Sequence, residues 1–481
     1  MVGYIIHVMQ MDKNTTILVV AIVAIVAIGA VAAVVMTGGG SGEKKSDAVG
    51  RLQVYGNADN DDYLDGDDMD LIKSIADGKT KWDKKKNPYA DANADGAVNS
   101  KDVEHFQKIL DGKSCLMYYT DFYGDVDYVH YPVTGNIGVN YVYGLQVGQT
   151  LGFYDRITAA ISSVINNYDE EFYPGLKEMD DIGSDSDAAV FVDNVLAADV
   201  SCVLGFYDFN KNLKEAFHAS TVPIDLINLP YARCGAGNPV DAIITTGALM
   251  GCLDEAREYA AFYDDTMEYI GSKTSELPAG NKAVLLFNPN DYSTVGVDTY
   301  GADGSQLGDA WVVFNLPLID DADHSKSAYV TMQIESPNIT DADYLVVVFG
   351  TSALSYDSTI ADGYKVFEQK LEFLKGTKAY QNKHIVGVGF VPIGTYLGIS
   401  ELPLMANAIW GDVFDEEYGY EMLEEFYTKF THVPAGYDFE NSGYYHVYSM
   451  SRGAKQGPLR GPRLNRLIEC ERSGSERGKC V

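Results

Sequence analysis

The stretch "DAIITTGALMGCLDEAREYAAFYDDTMEYIGSKTSEL", residues 241–277, carries apolar side chains at Leu249, Leu253, Ala256, Ala260, Tyr263, Met267 and Ile270. Their spacings alternate between four and three, the signature of one buried helical stripe. The pattern predicts a helix of about 25 residues from Cys252 to Glu276, roughly 37 Å at 1.5 Å per residue. No proline interrupts it before Pro278. On either side lie short apolar runs closed by polar or aromatic loops: "SCVLGFYDF" (201–209), then "KAVLLFNPN" (282–290), "YLVVVFGTS" (344–352) and "HIVGVGFVP" (384–392). Each reads as a buried strand, and their alternation with helical stretches argues an α/β fold with mainly parallel sheets. A helix of this length crosses from one such lobe to another. Ligands of open α/β sheets bind beyond the carboxyl ends of the strands.

Working outward, the whole chain has 481 residues, 46% of them hydrophobic, 34 tyrosines and a formal charge of −33. That charge excludes a nucleic-acid partner, whose phosphates need a basic face. Six cysteines (115, 202, 234, 252, 470, 480) show no paired metal spacing and are too scattered for a disulfide scaffold. Buried small hydrophobes account for them, with a single Cys234–Cys252 bridge as the alternative. No nucleophile–base pair, metalloprotease motif or phosphate-cradling loop appears, so an enzyme is not expected.

Residues 17–36, "ILVVAIVAIVAIGAVAAVVM", form an uncharged run about as long as a bilayer-spanning helix. A cleaved signal has a shorter apolar core, so the expectation is one uncleaved anchor in the cell membrane with the bulk outside the cell. Residues 1–36 are the anchor and 37–50 a flexible linker.

Next comes a repeat. "NADNDDYLDGDDMDLIKSIADGK" from Asn57 is followed 34 residues later by "DANADGAVNSKDVEHFQKILDGK" from Asp91. The first copy offers oxygens from Asn57, Asp59, Asp61, Asp65 and Asp68; the second from Asp91, Asn93, Asp95, Asn99 and Asp102. Alternate oxygen ligands closing at position 12 suit calcium. Apolar residues behind each loop (Leu71, Ile72, Ile75; Phe106, Ile109, Leu110) share one helix face. Aspartate at position 12, and Asp62 where Gly96 stands in the second copy, depart from an EF-hand. The pair resembles the dockerin module, which implies two structural calcium ions and either a cohesin-like partner or a stiffened spacer over residues 51–114.

The remainder resembles the solute-binding proteins of ABC importers for iron-siderophore, haem and cobalamin, the class with a helical backbone between two lobes. The likeness is carried by "LQVGQTLGFYDRITA" (145–159), "FVDNVLAADVSCVLG" (191–205), "QIESPNITDADYLVVVF" (333–349) and "ELPLMANAIWGDVFDEEYGYEMLEEFYTKF" (401–430). It implies a first lobe at 115–240, an interlobe helix at 241–277 and a second lobe at 278–448. It also implies docking of an ABC permease by one acid on each lobe, here Asp193 and Glu335. The usual Pro-Asp before two strands is replaced by Asp199-Val200 and Ala342-Asp343.

Strand-end loops supply the candidate ligand side chains: Phe206, Tyr207, Asn288, Tyr292, Tyr356, Phe390 and Tyr396. Aromatic and amide groups in a concave site suit a flat conjugated ligand. The loops are poor in Arg and Lys, which favours a corrinoid or neutral chelate over an anionic siderophore. Residues 449–481 carry eight Lys+Arg against three Glu and read as a basic disordered tail. The expected function is delivery of an iron complex or corrinoid to an import permease. The alternative is a calcium-dependent surface scaffold or adhesion protein assembling through the dockerin-like module.

Overall fold

The apolar runs become strands where the sequence places them. The structure, a computed structural model, describes residues 51–451 apart from 206–210, 221, 232–238, 278–281, 290–293, 300–312, 315–329, 351–352, 390–395, 412 and 435. The apolar run 17–36, the linker and the tail from 452 lie outside the described residues. No described helix is long and apolar enough to cross a membrane.

Each acidic loop leads into a helix, α1 (Gly66–Ala76) and α2 (Ser100–Leu110). Asp65 and Asn99 cap them, and Asp68 and Asp102 close capping boxes onto the cap residues. Met69, Ile72 and Ile75 of α1 and Phe106 and Ile109 of α2 are buried. A hairpin follows, β1 (Cys115–Thr120) antiparallel to β2 (Val126–Tyr131). Val54 bridges Tyr119 beside it, so the chain entering the first loop is held to the hairpin.

The first lobe is a five-stranded parallel sheet with order β5-β4-β3-β6-β7. Its elements run β3 (Asn136–Val139), α3 (Val142–Thr150), β4 (Ile157–Ala160), α4 (Ser162–Asn167), β5 (Asp180–Asp181), α5 (Ala188–Ala197), β6 (Val200–Gly205), α6 (Lys211–His218) and β7 (Asp225–Asn228). The order reverses between β3 and β6, and α3 starts just beyond β3 at that switch point. Every residue of α3 is buried. A Cβ at Gly144 would lie 2.6 Å from Val139 Cγ1, and one at Gly148 2.5 Å from Ile157 Cδ1. Only glycine lets α3 lie this close to β3 and β4.

The long helix expected from Cys252 to Glu276 is α8 (Leu253–Thr274), but the start of the interlobe stretch expected at 241–277 belongs to a separate helix, α7 (Pro239–Met250), and the two are parted by Gly251 and Cys252. At 22 residues, α8 is about 33 Å long. Its face meets the second lobe through aromatic rings: Phe262 lies 5.2 Å from Phe426, and the Tyr259 hydroxyl donates to Tyr396 O at 2.8 Å. Cys252 is a free thiol, which removes the conjectured bridge to Cys234.

The second lobe contains β8 (Ala283–Phe287), β9 (Thr294–Thr299), β10 (Val330–Gln333), α9 (Pro337–Thr340), β11 (Tyr344–Val348), α10 (Ile360–Glu372), α11 (Lys378–Asn382), β12 (Ile385–Val388), α12 (Leu402–Ile409), α13 (Glu416–Phe430) and β13 (Tyr448–Ser449). Its sheet order is β10-β9-β8-β11-β12-β13. β8, β11 and β12 are parallel; β9, β10 and β13 run antiparallel to their neighbours. The boundary expected at 448 therefore moves: Ser449 is in the sheet, and Met450 N bonds Ile385 O.

Candidate ligand site between the lobes

At the switch point, α3 presents Gln146 and Gln149 toward the second lobe. Together with Phe172 and Tyr173 of the same lobe they line a small cavity. The second lobe contributes Tyr356, Leu397, Tyr427, Thr431, Tyr444 and Tyr445. The rings touch across the lobe boundary: Phe172 stacks on Tyr356 with centroids 3.6 Å apart, and Tyr437 meets Phe172 edge-on at 5.4 Å. Tyr356 and Tyr444 lie 4.3 Å apart, Tyr427 and Tyr445 4.5 Å.

The polar groups are fixed by hydrogen bonds. Gln149 Nε2 donates to Phe172 O at 2.7 Å, and Gln146 Nε2 donates to the Tyr173 hydroxyl at 3.2 Å. The Tyr437 hydroxyl donates to Tyr356 O at 2.7 Å and accepts from Ser442. Burial raises the phenols of Tyr173, Tyr356, Tyr427, Tyr444 and Tyr445 well above their ordinary range, so all stay protonated. Burial likewise lifts the Glu401 carboxyl, at the entrance to α12, well above the usual glutamate value.

Of the seven candidate ligand residues, Tyr356 lines this cavity. Tyr396 is buried nearby, its hydroxyl 2.7 Å from Thr150 Oγ1, and so ties the lobes together. Asn288 is exposed at the end of β8 and accepts from Lys370 Nζ at 2.7 Å. Phe206, Tyr207, Tyr292 and Phe390 lie outside the described residues. Asp193 on α5 and Glu335 in the turn before α9 are both exposed, one on each lobe. The sequence reading missed Gln146, Gln149, Phe172, Tyr427, Tyr444 and Tyr445. The available signal was the tyrosine density of "SGYYHVYSM" (442–450).

In the acidic loops Asn57, Asp68, Asp91 and Asp102 are buried, while Asp59, Asp61, Asp65 and Asp95 are exposed. Asp68 is fully buried and accepts from Ala58 N at 2.6 Å and Asp65 N at 3.0 Å. Asp102, equally buried, accepts from Asn93 N at 3.2 Å and Asn99 N at 2.8 Å. Asp91 accepts from Asp95 N and Gly96 N. Asp59, Asp61, Asn93 and Asp95 each accept a local backbone N–H, and the caps Asp65 and Asn99 accept from the backbone of the first helical turn. The two loops share a left-handed residue at the fourth position, Asn60 and Ala94. Gly96 is left-handed and Asp62, its counterpart, is not. Among the described residues no three Asp, Glu, His or Cys side chains group as a metal site. Even so, Asn57 Oδ1, at the first ligand position, is buried with no hydrogen-bond donor among the described residues. An all-oxygen set with one such orphan, and buried carboxylates at Asp68 and Asp102, fits a hard cation.

This segment is also fastened to the body. Arg51 makes a bidentate pair with Asp264 of α8 at 2.6 and 2.9 Å. Gln53 bonds Thr245 and Asp241 of α7. Arg257 lies over the Tyr63 ring at 3.5 Å. On the hairpin, Asp121 takes Lys214 at 2.6 Å, and Asp225 takes His130 at 2.8 Å.

The model of the family described as "Periplasmic binding protein" matches residues 144–391, just over half of the chain. This chain belongs to the periplasmic binding protein family. No curated protein matches it. Among solved structures it is similar to the TroA-like periplasmic binding protein FepB of Veillonella parvula, at 14% identity and TM-score 0.49, over 65% of this chain and 95% of that one. It is also similar to CeuE of Helicobacter pylori, in a Ni-His complex, at 13% identity and TM-score 0.45, over 66% and 95% of the two chains. A third likeness is SirA of Staphylococcus aureus complexed with staphyloferrin B, at 15% identity and TM-score 0.39, over 61% and 92%. As a periplasmic binding protein, the chain is a two-lobed solute-binding protein of the ABC-importer type.

Proposed function

We propose that this periplasmic binding protein holds an iron complex, a siderophore or haem, or a corrinoid between its lobes and delivers it to an ABC permease. One observation carries the reading: the aromatic and carboxamide cavity is built from both lobes at the switch point of the first sheet. Asp193 and Glu335, exposed on separate lobes, would meet the permease. An anchor at 17–36 would keep the body outside the cell. The family membership supports solute binding.

With this goes a structural role for calcium. Asn57, Asp59, Asp61, Asp65 and Asp68 would hold one ion, and Asp91, Asn93, Asp95, Asn99 and Asp102 another. The residues are those of a dockerin-like module, but here its first loop is clasped to α7 and α8. A cohesin-like partner is the second reading. It is favoured by Leu110, an apolar residue left exposed at the end of α2.

Purified protein exposed to haem, corrinoids and ferric chelates, then desalted, should retain one of them by mass spectrometry and absorption. Retention of none would overturn the transport reading. Calorimetry with calcium should show two binding events, and Asp91→Ala should remove one.

A further inference from the structure

The segment between the two acidic loops reverses the charge of the chain around it. Residues 79–86, "KTKWDKKK", hold five lysines against one aspartate, in a chain with 69 Asp+Glu and 36 Lys+Arg. All five lysines are exposed. Lys79 pairs with Asp77 at 2.8 Å, but Lys81, Lys84, Lys85 and Lys86 have no carboxylate partner among the described residues. The turn that carries them is fixed. Asp83 Oδ1 accepts from Lys85 N at 3.0 Å, and Asp83 O accepts from Lys86 N at 3.1 Å and Asn87 N at 2.8 Å. At one end Lys79 N and Thr80 N bond Ser74 O. At the other, Asn87 Nδ2 donates to Ala58 O at 2.8 Å and Gly56 N to Tyr89 O at 2.7 Å, beside the chain that enters the first loop. Trp82 sits among the lysines, half-buried, its N–H donated to Asn87 O at 2.9 Å and Lys84 Nζ 4.5 Å from its ring. A partner for such a patch carries negative charge and accepts an indole at its boundary with water.

We infer that residues 79–86 rest on an anionic phospholipid surface, the lysines facing phosphate headgroups and Trp82 at headgroup level. The inference rests on the anchor reading of residues 17–36. Residues 37–50 join that run to Arg51 and span at most about 50 Å when fully extended. The acidic-loop segment is thus the part of the body tethered most closely to the bilayer along the chain. A tether makes a weak contact intramolecular and raises its effective concentration. That favours a lipid surface over a free polyanion, which a chain of formal charge −33 repels. Asp59, Asp61 and Asp65 are exposed in the first loop, and calcium held there would offset their opposing charge. Contact at this turn as well as at the anchor would hold the body in one attitude to the bilayer.

The test places the full chain, with calcium, in two kinds of vesicle: phosphatidylcholine alone, and equal parts phosphatidylcholine and phosphatidylglycerol. Acetylation of each lysine is read by mass spectrometry. In the anionic vesicles Lys81, Lys84, Lys85 and Lys86 should label about fivefold more slowly, the factor that an anionic surface lends each lysine near it. High salt should restore the rate. Lys365 and Lys375, exposed on the second lobe, should label equally in both vesicles. Lys84→Gln, Lys85→Gln and Lys86→Gln together should remove the protection of Lys81 while the protein still floats with the vesicles. Equal labelling in the two vesicles would overturn the inference. So would protection by soluble tripolyphosphate without protection by anionic lipid, which assigns the patch to a free polyanion. A chain that floats with neither vesicle sinks the anchor reading and this inference together. One that floats with both and shows no protection sinks this inference alone.

Discussion

Glu401 is the residue at which burial and charge conflict most plainly. Its carboxyl is fully buried, one oxygen has no donor among the described residues, and its folded-state pKa is raised well above the usual 4.5. The folded protein therefore keeps a proton that the unfolded chain releases above that value. Stability from the protonated group is present at acidic pH and is lost as pH rises toward the folded-state value, at up to about 1.4 kcal/mol per pH unit. Glu401→Gln keeps the shape and removes the titration. In urea unfolding between pH 5 and 8, the variant should gain on the parent steadily as pH rises. A constant difference over that range would mean the carboxyl ionises in the folded protein as freely as in the unfolded chain.

Among the elements, the α7–α8 corner is the tightest packing point in the interlobe segment. A Cβ at Gly247 would lie 2.4 Å from Ala256 Cβ and 2.9 Å from Cys252 O. Gly247→Ala should force the two helices apart and cost about 1–3 kcal/mol, read as a lowered urea midpoint with an unchanged slope. The same corner shows where the sequence stops being legible. Apolar periodicity runs through Leu249 and Leu253 without a phase break, so although the long helix from Cys252 is found, the separate helix before it is not distinguished from it within 241–277. The four buried strands were legible because each is a continuous apolar run. β13 was not, because two residues, Tyr448 and Ser449, carry no period. At the site, Tyr356 was legible as a strand-end aromatic. That Gln146 and Glu401 each keep an oxygen without a donor among the described residues was not: whether an oxygen lacks a donor depends on partners brought together from opposite ends of the fold.

At the scale of the whole molecule, two exposed acids stand one on each lobe. Asp193→Arg with Glu335→Arg should abolish uptake through the permease and leave solute affinity unchanged, because reversed charges repel at a docking contact. Weakened solute binding in the double variant would move these residues to another surface.

The acidic-loop segment gives the molecule its other long-range property. Arg51, Gln53 and Tyr63 bind α7 and α8 directly, and the hairpin is pinned to the first lobe through Asp121 and His130. Calcium held by the loops would therefore stabilise the body as well as the loops, since a ligand of the native state shifts every unfolding equilibrium coupled to its site. At a calcium concentration a hundredfold above the dissociation constant, each site contributes about 2.7 kcal/mol. Calorimetric scans of the full chain should show one transition, lowered by EGTA and restored by calcium. Replacing Arg51 and Gln53 together by alanine removes the pair with Asp264 and the side-chain bond to Asp241, leaving the Gln53 backbone N–H on Thr245. In that variant the loops should melt in a separate, calcium-sensitive step while the body melts at a temperature that no longer follows calcium. A body transition that tracks calcium equally well in both proteins would place the coupling elsewhere, in the hairpin contacts at Asp121 and His130.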